Sequence, residues 1–348
     1  MTRRAMGSNA ALELVVPSVA AVTRFRAGLQ VVWPEGAGER HSGGGPRLGL
    51  AVSGGPDSTA LLLLAAAALP GRVEAATVDH GLRAENAREA EAVAQLCAQL
   101  NLAHATLPVS LEPGNVQDAA RRARYAALGE WAKDRNLGAL ASGHHADDQA
   151  ETLIMRLNRA SGVSGLAGAR ARGRVPGTDL LLLRPLLGWR RAELCQTVLQ
   201  AGITPADDPS NADDRFDRAR LRKALAQAEW LDVPAVAQSA AHLADADAAL
   251  AWSADLEYGA RVRRDSFGMT YRPLAPRAIA LRVLTRIIRE LDGTEPRGSA
   301  VARVFDAIVA GQPASIGELV VRPNAGGWSF TRAPARKAAP RRADAPES

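Results

Sequence analysis

Short apolar runs alternate with longer amphipathic segments along residues 47–230. Short runs rich in apolar residues are typical of buried strands, whereas apolar residues three or four positions apart predict helices. The predicted strands are Leu48–Val52, Val73–Val78, Ala105–Val109, Ala139–Ser142 and Leu180–Leu183, and the predicted helices begin near Ser58, Glu85, Val116, Ala146 and Arg190. Regular alternation of strand and helix predicts an α/β fold with a doubly wound, mainly parallel sheet.

The rest of the chain divides by composition into further segments. A helical pattern over residues 10–33 ends at Pro34, and the glycine-rich segment 160–173 predicts a mobile loop. The predicted domains are an N-terminal extension with a flexible linker (1–46), an α/β catalytic domain (47–230), a linker helix (231–264), a small basic C-terminal domain (265–330) and a disordered basic tail (331–348).

Composition predicts a globular protein of about two domains. The chain has 348 residues, 47% of them hydrophobic, and a mean hydropathy of -0.11. No uninterrupted apolar stretch approaches the roughly 20 residues that a membrane span needs, and no secretory signal is evident. We therefore expect a cytoplasmic protein with no membrane partner. Cys97 and Cys195 lie far apart inside helical patterns, which favours core residues over a disulfide.

The positive charge is concentrated near the C-terminus. Residues 261–348 contain 16 Lys and Arg against 8 Asp and Glu, whereas the whole chain has a net charge of +6. Such asymmetry favours contact between the second half and a polyanion such as nucleic acid. The alternative is solubility, because five of these basic residues lie in the Pro- and Ala-rich tail after residue 330.

The segment Ser53-Gly54-Gly55-Pro56-Asp57-Ser58 lies between the first predicted strand and the first predicted helix of the α/β region. A glycine turn in that position directs free backbone N–H groups and the positive end of a helix at one point, which favours a phosphate group. The hydroxyl groups of Ser53 and Ser58 add hydrogen-bond donors. The alternative is a tight turn in which Ser53 or Asp57 only caps the helix.

Asp57 is the unusual residue of this loop. A carboxylate among phosphates is explained if it holds Mg²⁺, whose usual ligands are carboxylate and phosphate oxygens. The Walker pattern is absent and no lysine lies near the loop, so simple hydrolysis of a terminal phosphate is not the first prediction.

Two more polar clusters follow predicted strands, Asp79-His80-Gly81 and Gly143-His144-His145. In doubly wound sheets ligands bind beyond the carboxyl ends of the strands, so these clusters and the glycine turn are expected to form one cleft.

The helix after Gly143 begins with Asp147, Asp148 and Glu151, and Glu151 shares a face with at least one of the other two. These acids could hold a cationic amine or Mg²⁺, and His145 or a carboxylate could assist in deprotonating an amine. Acids offsetting the helix dipole are the alternative, and a zinc site is a weaker one.

Two arginine clusters complete the candidate chemistry. Arg121, Arg122 and Arg124 stand beside Tyr125, and Arg218, Arg220 and Arg222 form the second cluster. Either could neutralise a phosphoryl group or bind an RNA backbone. Because the chain contains only three lysines, a general preference for arginine on solvated helix faces explains them equally well.

Together these residues resemble those of the tRNA(Ile)-lysidine synthases, which are members of the PP-loop ATP pyrophosphatase group. The matching segments are Ser53–Ser58, Val78–Arg83, Ala120–Tyr125, Gly143–Thr152, Arg159–Leu166, Arg184–Leu187 and Asp208–Asn211. They follow the family's order and spacing over residues 47–223. The chain departs from the family at Gln117, where Glu is frequent, and at Arg218-Ala219, where an Arg-Asn pair is frequent.

The resemblance implies a two-step reaction on the wobble cytidine of an isoleucine tRNA with the anticodon CAU. ATP adenylates the oxygen on carbon 2 of the cytosine and releases pyrophosphate, and the amine of free L-lysine then displaces AMP to give lysidine. It also implies that residues 53–58 bind ATP, that Asp57 holds Mg²⁺, that Glu151 with Asp148 holds the lysine, and that Arg121 and either Arg218 or Arg222 support the nucleotide or the substrate.

Two other functions remain open at this point. A tRNA thiolase of the same ATP group would also adenylate a base but would need reactive cysteines, and both cysteines lie in helical patterns away from the predicted cleft. A nucleotide- or RNA-binding module without catalysis would release no pyrophosphate. The sequence leaves a homodimer open.

Overall fold

The structure, a computed structural model, describes residues 16–38, 45–79, 81, 84–109, 116–204 and 217–333, without the side chains of residues 84–86 and 116–118. Several predicted features therefore lie outside the described residues: His80, the side chain of Gln117, the motif at 208–211 and the tail beyond residue 333. The chain divides into two units, Met1–Ala244 and Asp245–Ser348.

The first unit alternates strands and helices as the sequence predicts. Its strands are β1 (Leu48–Ala51), β2 (Val73–Asp79), β3 (Ala103–Pro108), β4 (Ala139–Ser142), β5 (Arg172–Arg174) and β6 (Leu181–Leu183). Its helices are α1 (Val19–Val32), α2 (Pro34–Ala37), α3 (Pro56–Ala68), α4 (Ala84–Gln99), α5 (Val116–Asp134), α6 (Ala146–Leu157), α7 (Val163–Leu166), α8 (Arg191–Gln200) and α9 (Asp217–Ala226). The strands and helices predicted within residues 47–201 are each present to within two residues.

The six strands form one sheet in the order β3-β2-β1-β4-β6-β5. The five strands from β3 to β6 are parallel, and β5 pairs antiparallel at the edge. The predicted doubly wound, mainly parallel sheet is confirmed. Strand order reverses between β1 and β4, and such a reversal leaves a crevice beyond the carboxyl ends of the two strands.

Helices cover both faces of this sheet. On one face, α1, α3, α4 and α8 share an apolar core that includes Phe25, Leu29 and Leu61–Leu64. On the other face, Tyr125, Leu128 and Trp131 of α5 pack against the sheet. The α3 sequence is apolar all round because its neighbours include the sheet, α1 and α8. This burial holds the start of α3 rigidly beside the end of β1.

One local prediction from the sequence is confirmed and one is wrong. The N-terminal helix α1 ends at Val32, just before Pro34, and Pro34 begins the short helix α2, where its missing N–H has no helical acceptor to lose. The segment 160–173 is not a mobile loop throughout, because it contains α7 and leads into β5. The buried amide of Gln149 holds this segment by two hydrogen bonds to the backbone of Ala169, at 2.9 and 2.8 Å.

The long helix α10 (Val233–Arg261) includes the boundary between the two units. The second unit contains α11 (Arg277–Asp292), α12 (Gly298–Val309) and the strands β7 (Val262–Arg264), β8 (Gly268–Tyr271), β9 (Ala314–Ile316), β10 (Leu319–Asn324) and β11 (Gly327–Arg332). The strands pair antiparallel in the order β7-β8-β11-β10-β9 over a core centred on Trp328, which Tyr271 and Phe305 contact edge-on. The domain limits given by the sequence remain predictions.

Among the residues that the structure describes, none of the helices combines the length and apolar character required to cross a bilayer.

Candidate active site at the switch point of the sheet

The loop Ser53–Ser58 connects β1 to α3 at the switch point. Gly54 has a φ of 88°, a left-handed conformation that glycine adopts at little cost, and Gly55 is the N-cap of α3. Pro56 occupies the first turn of the helix, where the N–H groups have no helical acceptor. The Ser58 hydroxyl donates to the Gly55 carbonyl (3.0 Å) and lies 3.2 Å from the Ser53 hydroxyl. The Ser58 hydroxyl is therefore engaged within the turn, and the turn presents backbone N–H groups and the Ser53 hydroxyl at the positive end of a helix.

The turn after β4 packs directly on this loop. A Cβ atom added to Gly143 would lie 2.9 Å from the Asp57 carbonyl oxygen and 3.1 Å from the Ser58 nitrogen, closer than such atoms approach. Gly143 therefore allows the two turns to meet. The loop after β1 and the start of α6 are brought together as the sequence predicts.

We expect Gly143→Ala to weaken ATP binding about tenfold or more, because overpacking of this kind costs about 1–3 kcal/mol and must displace the phosphate loop. Gly173→Ala is the matched control, since an added Cβ meets nothing within 4 Å there. Equilibrium binding of ATP to the two variants measures the difference, and equal affinities would contradict the tight contact.

Asp57 faces His145 across this contact. His145 is the N-cap of α6 and only 1% exposed, and its Nε2 lies 3.4 Å from the Asp57 carboxylate. Burial lowers the pKa of His145, but Asp147 and Asp57 outweigh burial and raise the pKa to about 9. In this arrangement the surrounding carboxylates favour the protonated imidazole over the neutral form that could accept a proton from an amine.

The acids of α6 do not all enter the cleft. Glu151 is 3% exposed and accepts hydrogen bonds from Arg218 and Arg222, both at 2.7 Å from Nε. Asp148 accepts from the same Arg218 at 2.8 Å. Burial raises the pKa of Asp148, but the charges of His145 and Arg218 outweigh burial and hold the pKa below its ordinary value. Two carboxylates thus meet two guanidinium groups, and the pocket that the sequence predicts as acidic is close to neutral.

Asp147 turns away from this pocket. Its carboxylate accepts hydrogen bonds from the Arg190 side chain (3.1–3.2 Å) and from the Arg191 backbone N–H (2.8 Å). Burial raises the pKa of Asp147, but His145 and Arg190 outweigh burial and lower the pKa well below the usual range. Asp147 therefore fastens the start of α6 to the start of α8.

The residues of the loop fit a divalent cation at Asp57. The Asp57 Oδ1 atom is buried and has no hydrogen-bond partner, which is unusual for a carboxylate oxygen. Among the described residues no three His, Cys, Asp or Glu side chains form a metal cluster. Asp57 alone, with phosphate oxygens as the further ligands, is the arrangement that these residues allow for Mg²⁺.

The remaining predicted arginines have different positions. Arg121 is exposed on α5 with its guanidinium 5.1 Å from the centre of the Tyr125 ring, and its charge acts on His144 at the end of β4. Arg220 pairs with Asp217 on its own helix. Arg218 and Arg222 both contact Glu151 of α6. The structure therefore does not decide which of the two arginines supports the nucleotide or the substrate.

Sequence reasoning missed the two residues that hold these elements in place. Gln149 fastens the segment after α6, and Arg190 binds Asp147. Gln149 lies inside the family motif Gly143–Thr152 and Arg190 begins a predicted helix, but neither position indicates a partner, because the partners lie 20 and 43 residues away.

The cysteines are not arranged for sulfur chemistry. Cys97 is fully buried, and burial raises the pKa of its thiol to about 12. Cys195 is half-buried on α8, and burial, with the charge of Asp57 adding to it, raises its pKa. The charge of Asp57 acts on the Cys195 thiol, whereas the position of the thiol relative to the cleft stays a prediction. A thiol with a raised pKa is nonetheless a poor nucleophile.

Comparison with known proteins agrees with the geometry. Residues 38–229 match the family model described as the PP-loop domain. The chain is 47% identical to the tRNA(Ile)-lysidine synthase of Novosphingobium aromaticivorans over 90% of this chain and 94% of that protein. It is 41% identical to the tRNA(Ile)-lysidine synthase of Zymomonas mobilis over 84% of this chain and 90% of that protein.

Among solved structures, the U34-tRNA thiolase NcsA from Methanococcus maripaludis, solved with its 4Fe-4S cluster, superposes with a TM-score of 0.50 at 13% identity, over 64% of this chain and 78% of that chain. At that identity the likeness shows the PP-loop fold alone. The sequence relatives, which match nearly the whole chain, are more specific. The chain belongs to the tRNA(Ile)-lysidine synthase family and carries its ATP-using PP-loop domain.

Proposed function

We propose that this protein ligates free L-lysine to carbon 2 of the wobble cytidine in CAU-anticodon tRNA(Ile), at the expense of ATP, with AMP and pyrophosphate as products. The observation that carries the proposal is the meeting of the phosphate loop with α6, whose carboxylates can bind an amine, at the switch point of the sheet. The match to lysidine synthases over most of the chain supports it.

In the first step the loop 53–58 holds the phosphates of ATP through backbone N–H groups and serine hydroxyls. The cytosine O2 attacks the α-phosphorus, the bond to the pyrophosphate breaks, and pyrophosphate leaves. Asp57 would hold Mg²⁺, which supplies neutralisation of the charge on the departing pyrophosphate when bound. Arg121 stabilises phosphate or substrate from α5.

In the second step Asp148 and Glu151 hold the lysine. Its ε-amine, once deprotonated, attacks carbon 2 of the adenylated cytosine. A bond between that nitrogen and carbon 2 forms, the bond between carbon 2 and the activated oxygen breaks, and AMP leaves carrying that oxygen. Because Arg218 and Arg222 already neutralise these carboxylates, lysine must take over part of their contacts. Arg218, with 44% of its side chain exposed against 27% for Arg222, is the arginine that gives way.

Lysine incorporation tests the proposal directly. The full-length protein is incubated with ATP, magnesium, radiolabelled lysine and tRNA transcripts that differ only at the wobble base. Label in the cytidine transcript alone, with one AMP formed per lysine, is the expected result. No pyrophosphate release with any transcript would instead indicate a binding module, and label in the other transcripts would overturn the wobble specificity.

The cysteines give a separate prediction against sulfur transfer. We expect a Cys97→Ala, Cys195→Ala double variant to retain lysine incorporation within about a few-fold of the unchanged protein, because neither thiol has a lowered pKa. Cys97→Ala removes a small buried side chain and costs stability, so activity is measured well below the melting temperature. Complete loss of incorporation in a folded variant would return thiol chemistry to consideration.

A further inference from the structure

A second group of cations lies at the same edge of the sheet, on the far side of β4 from the phosphate loop. Strand β6 pairs with β4 so that Leu183 is opposite Ala141. Arg184, the next residue, therefore follows the end of β6 beside Ser142 at the end of β4. Together with Arg121 and Arg124 of α5 it forms the group that we call the Arg184 cluster.

Arg184 is a buried charge without an acidic partner. Arg184 is only 8% exposed. One terminal nitrogen of its guanidinium donates to the Arg170 carbonyl at 2.7 Å, whereas its Nε is buried and has no hydrogen-bond partner among the described residues. Within the described part of the chain no carboxylate forms an ion pair with it. Burial of a guanidinium that is not paired is unfavourable, so an anion at this position would offset a cost that the fold otherwise bears alone.

The other two arginines of the cluster contact Tyr125, the residue whose side chain Arg184 also contacts. The guanidinium groups of Arg121 and Arg124 lie 5.1 and 5.5 Å from the centre of the Tyr125 ring. Burial, and more weakly the charge of Arg121, lowers the pKa of Arg184, whose guanidinium also meets the Tyr125 side chain. Burial and the charge of Arg184 lower the pKa of His144 to about 4, so that imidazole is neutral and adds no further charge. Three guanidinium groups thus lie around the Tyr125 side chain, and among the described residues no ion pair joins any of them to a carboxylate.

We propose that the Arg184 cluster binds a phosphodiester of the RNA substrate adjacent to the nucleotide that is modified. The proposal rests on the proposed function for the identity of the RNA. Guanidinium groups match the geometry of phosphate oxygens and bind them in pairs. Two strand spacings, about 10 Å in all, separate the end of β6 from the end of β1, which places the cluster beyond the phosphate loop that holds ATP. Arg121 is exposed, so the cluster has one member at the protein surface.

The proposed phosphodiester contact is tested with RNA anticodon stem-loops in which the charge of one phosphodiester linkage is removed. Methylphosphonate is placed at either linkage flanking the wobble nucleotide, and affinity is measured for the full chain and for Arg184→Gln. Loss of one charge-assisted contact weakens binding about 10- to 100-fold. It also reduces the steepness with which the logarithm of the binding constant falls with the logarithm of the salt concentration by about one. We expect one neutral linkage to weaken binding to the unchanged protein but to have no further effect on Arg184→Gln, whereas KM for ATP and for lysine stays the same.

Arg122→Gln is the matched control, because Arg122 is exposed on the same helix and forms none of these contacts. If Arg184→Gln fails to fold, Arg124→Gln, at the half-buried member of the same cluster, carries the same cycle. A raised KM for ATP or for lysine with unchanged RNA affinity would assign the cluster to another ligand and overturn the proposal. The proposal would also be overturned if the neutral linkage weakened RNA binding to Arg184→Gln as much as it weakens binding to the unchanged protein. Because RNA binding is measured without catalysis, this result is separate from whether lysine is incorporated.

Discussion

Asp57→Asn is expected to reduce ATP-dependent pyrophosphate release about a hundredfold or more while leaving the fold intact. Removal of a group that stabilises transition-state charge costs enzymes about 10²–10³ in rate, and Asp57 is the carboxylate that fits a divalent cation in this loop. The asparagine keeps the volume of the side chain and an oxygen facing His145, which lies 3.4 Å away. Release of pyrophosphate is measured over a range of magnesium concentrations.

The magnesium dependence separates the metal role from a structural role. If Asp57 holds the ion, the variant requires more magnesium for half-maximal rate, and its melting temperature stays close to that of the unchanged protein. Turnover that is unchanged at every magnesium concentration would refute the assigned role. A large loss of melting temperature with an unchanged magnesium requirement would show that Asp57 only supports His145.

Glu151→Gln is expected to raise the KM for lysine about 10- to 100-fold and to leave ATP-dependent adenylation largely intact. The substitution keeps the shape of the side chain but removes a charge-assisted contact of about 1.5–3 kcal/mol to an amine. It also removes the charge that pairs with Arg218 and Arg222. Because these two side chains are 44% and 27% exposed, water screens them, and we expect a stability loss smaller than for a fully buried pair.

Asp147→Asn is the matched control for that variant. Asp147 lies one turn before Glu151 on α6 and is also paired with arginine, but its partner is Arg190 at the start of α8. We expect it to lower stability without changing the KM for lysine. Steady-state kinetics in lysine and separate measurement of pyrophosphate release without lysine make the comparison. An equal loss of adenylation and lysine affinity in Glu151→Gln would contradict the division of roles between the loop and α6.

The regular elements of the first unit were predictable because the information for them is local. Four- to seven-residue apolar runs and amphipathic segments locate the strands and helices, and the glycines between β1 and α3 indicate the turn that joins them. The segment 160–173 was predicted wrongly because its order comes from Gln149, a polar residue on α6 whose amide binds backbone 20 residues later. Composition within the segment carries no trace of that contact.

The sequence indicated which residues of α6 would lie together, but it did not indicate the net charge of the pocket that they form. Helical spacing placed Glu151 on a face with another carboxylate, and the structure shows that the partner is Asp148 rather than Asp147. Spacing along one helix could not reveal that Arg218 and Arg222, 67 and 71 residues away, would neutralise the pair. For the same reason the unpaired charge of Arg184 was invisible, since an arginine in a sequence shows neither its burial nor the absence of an acid nearby.

The sequence by itself determined the sheet, the phosphate loop at its first turn and the family to which the chain belongs, because each depends on residues that are neighbours along the chain. Only the tertiary structure decided which carboxylates enter the cleft, which arginines balance them and which guanidinium remains without a partner. Electrostatic energy depends on the distance between charges and on their exposure to water, and both are set by packing between segments that the chain itself keeps far apart.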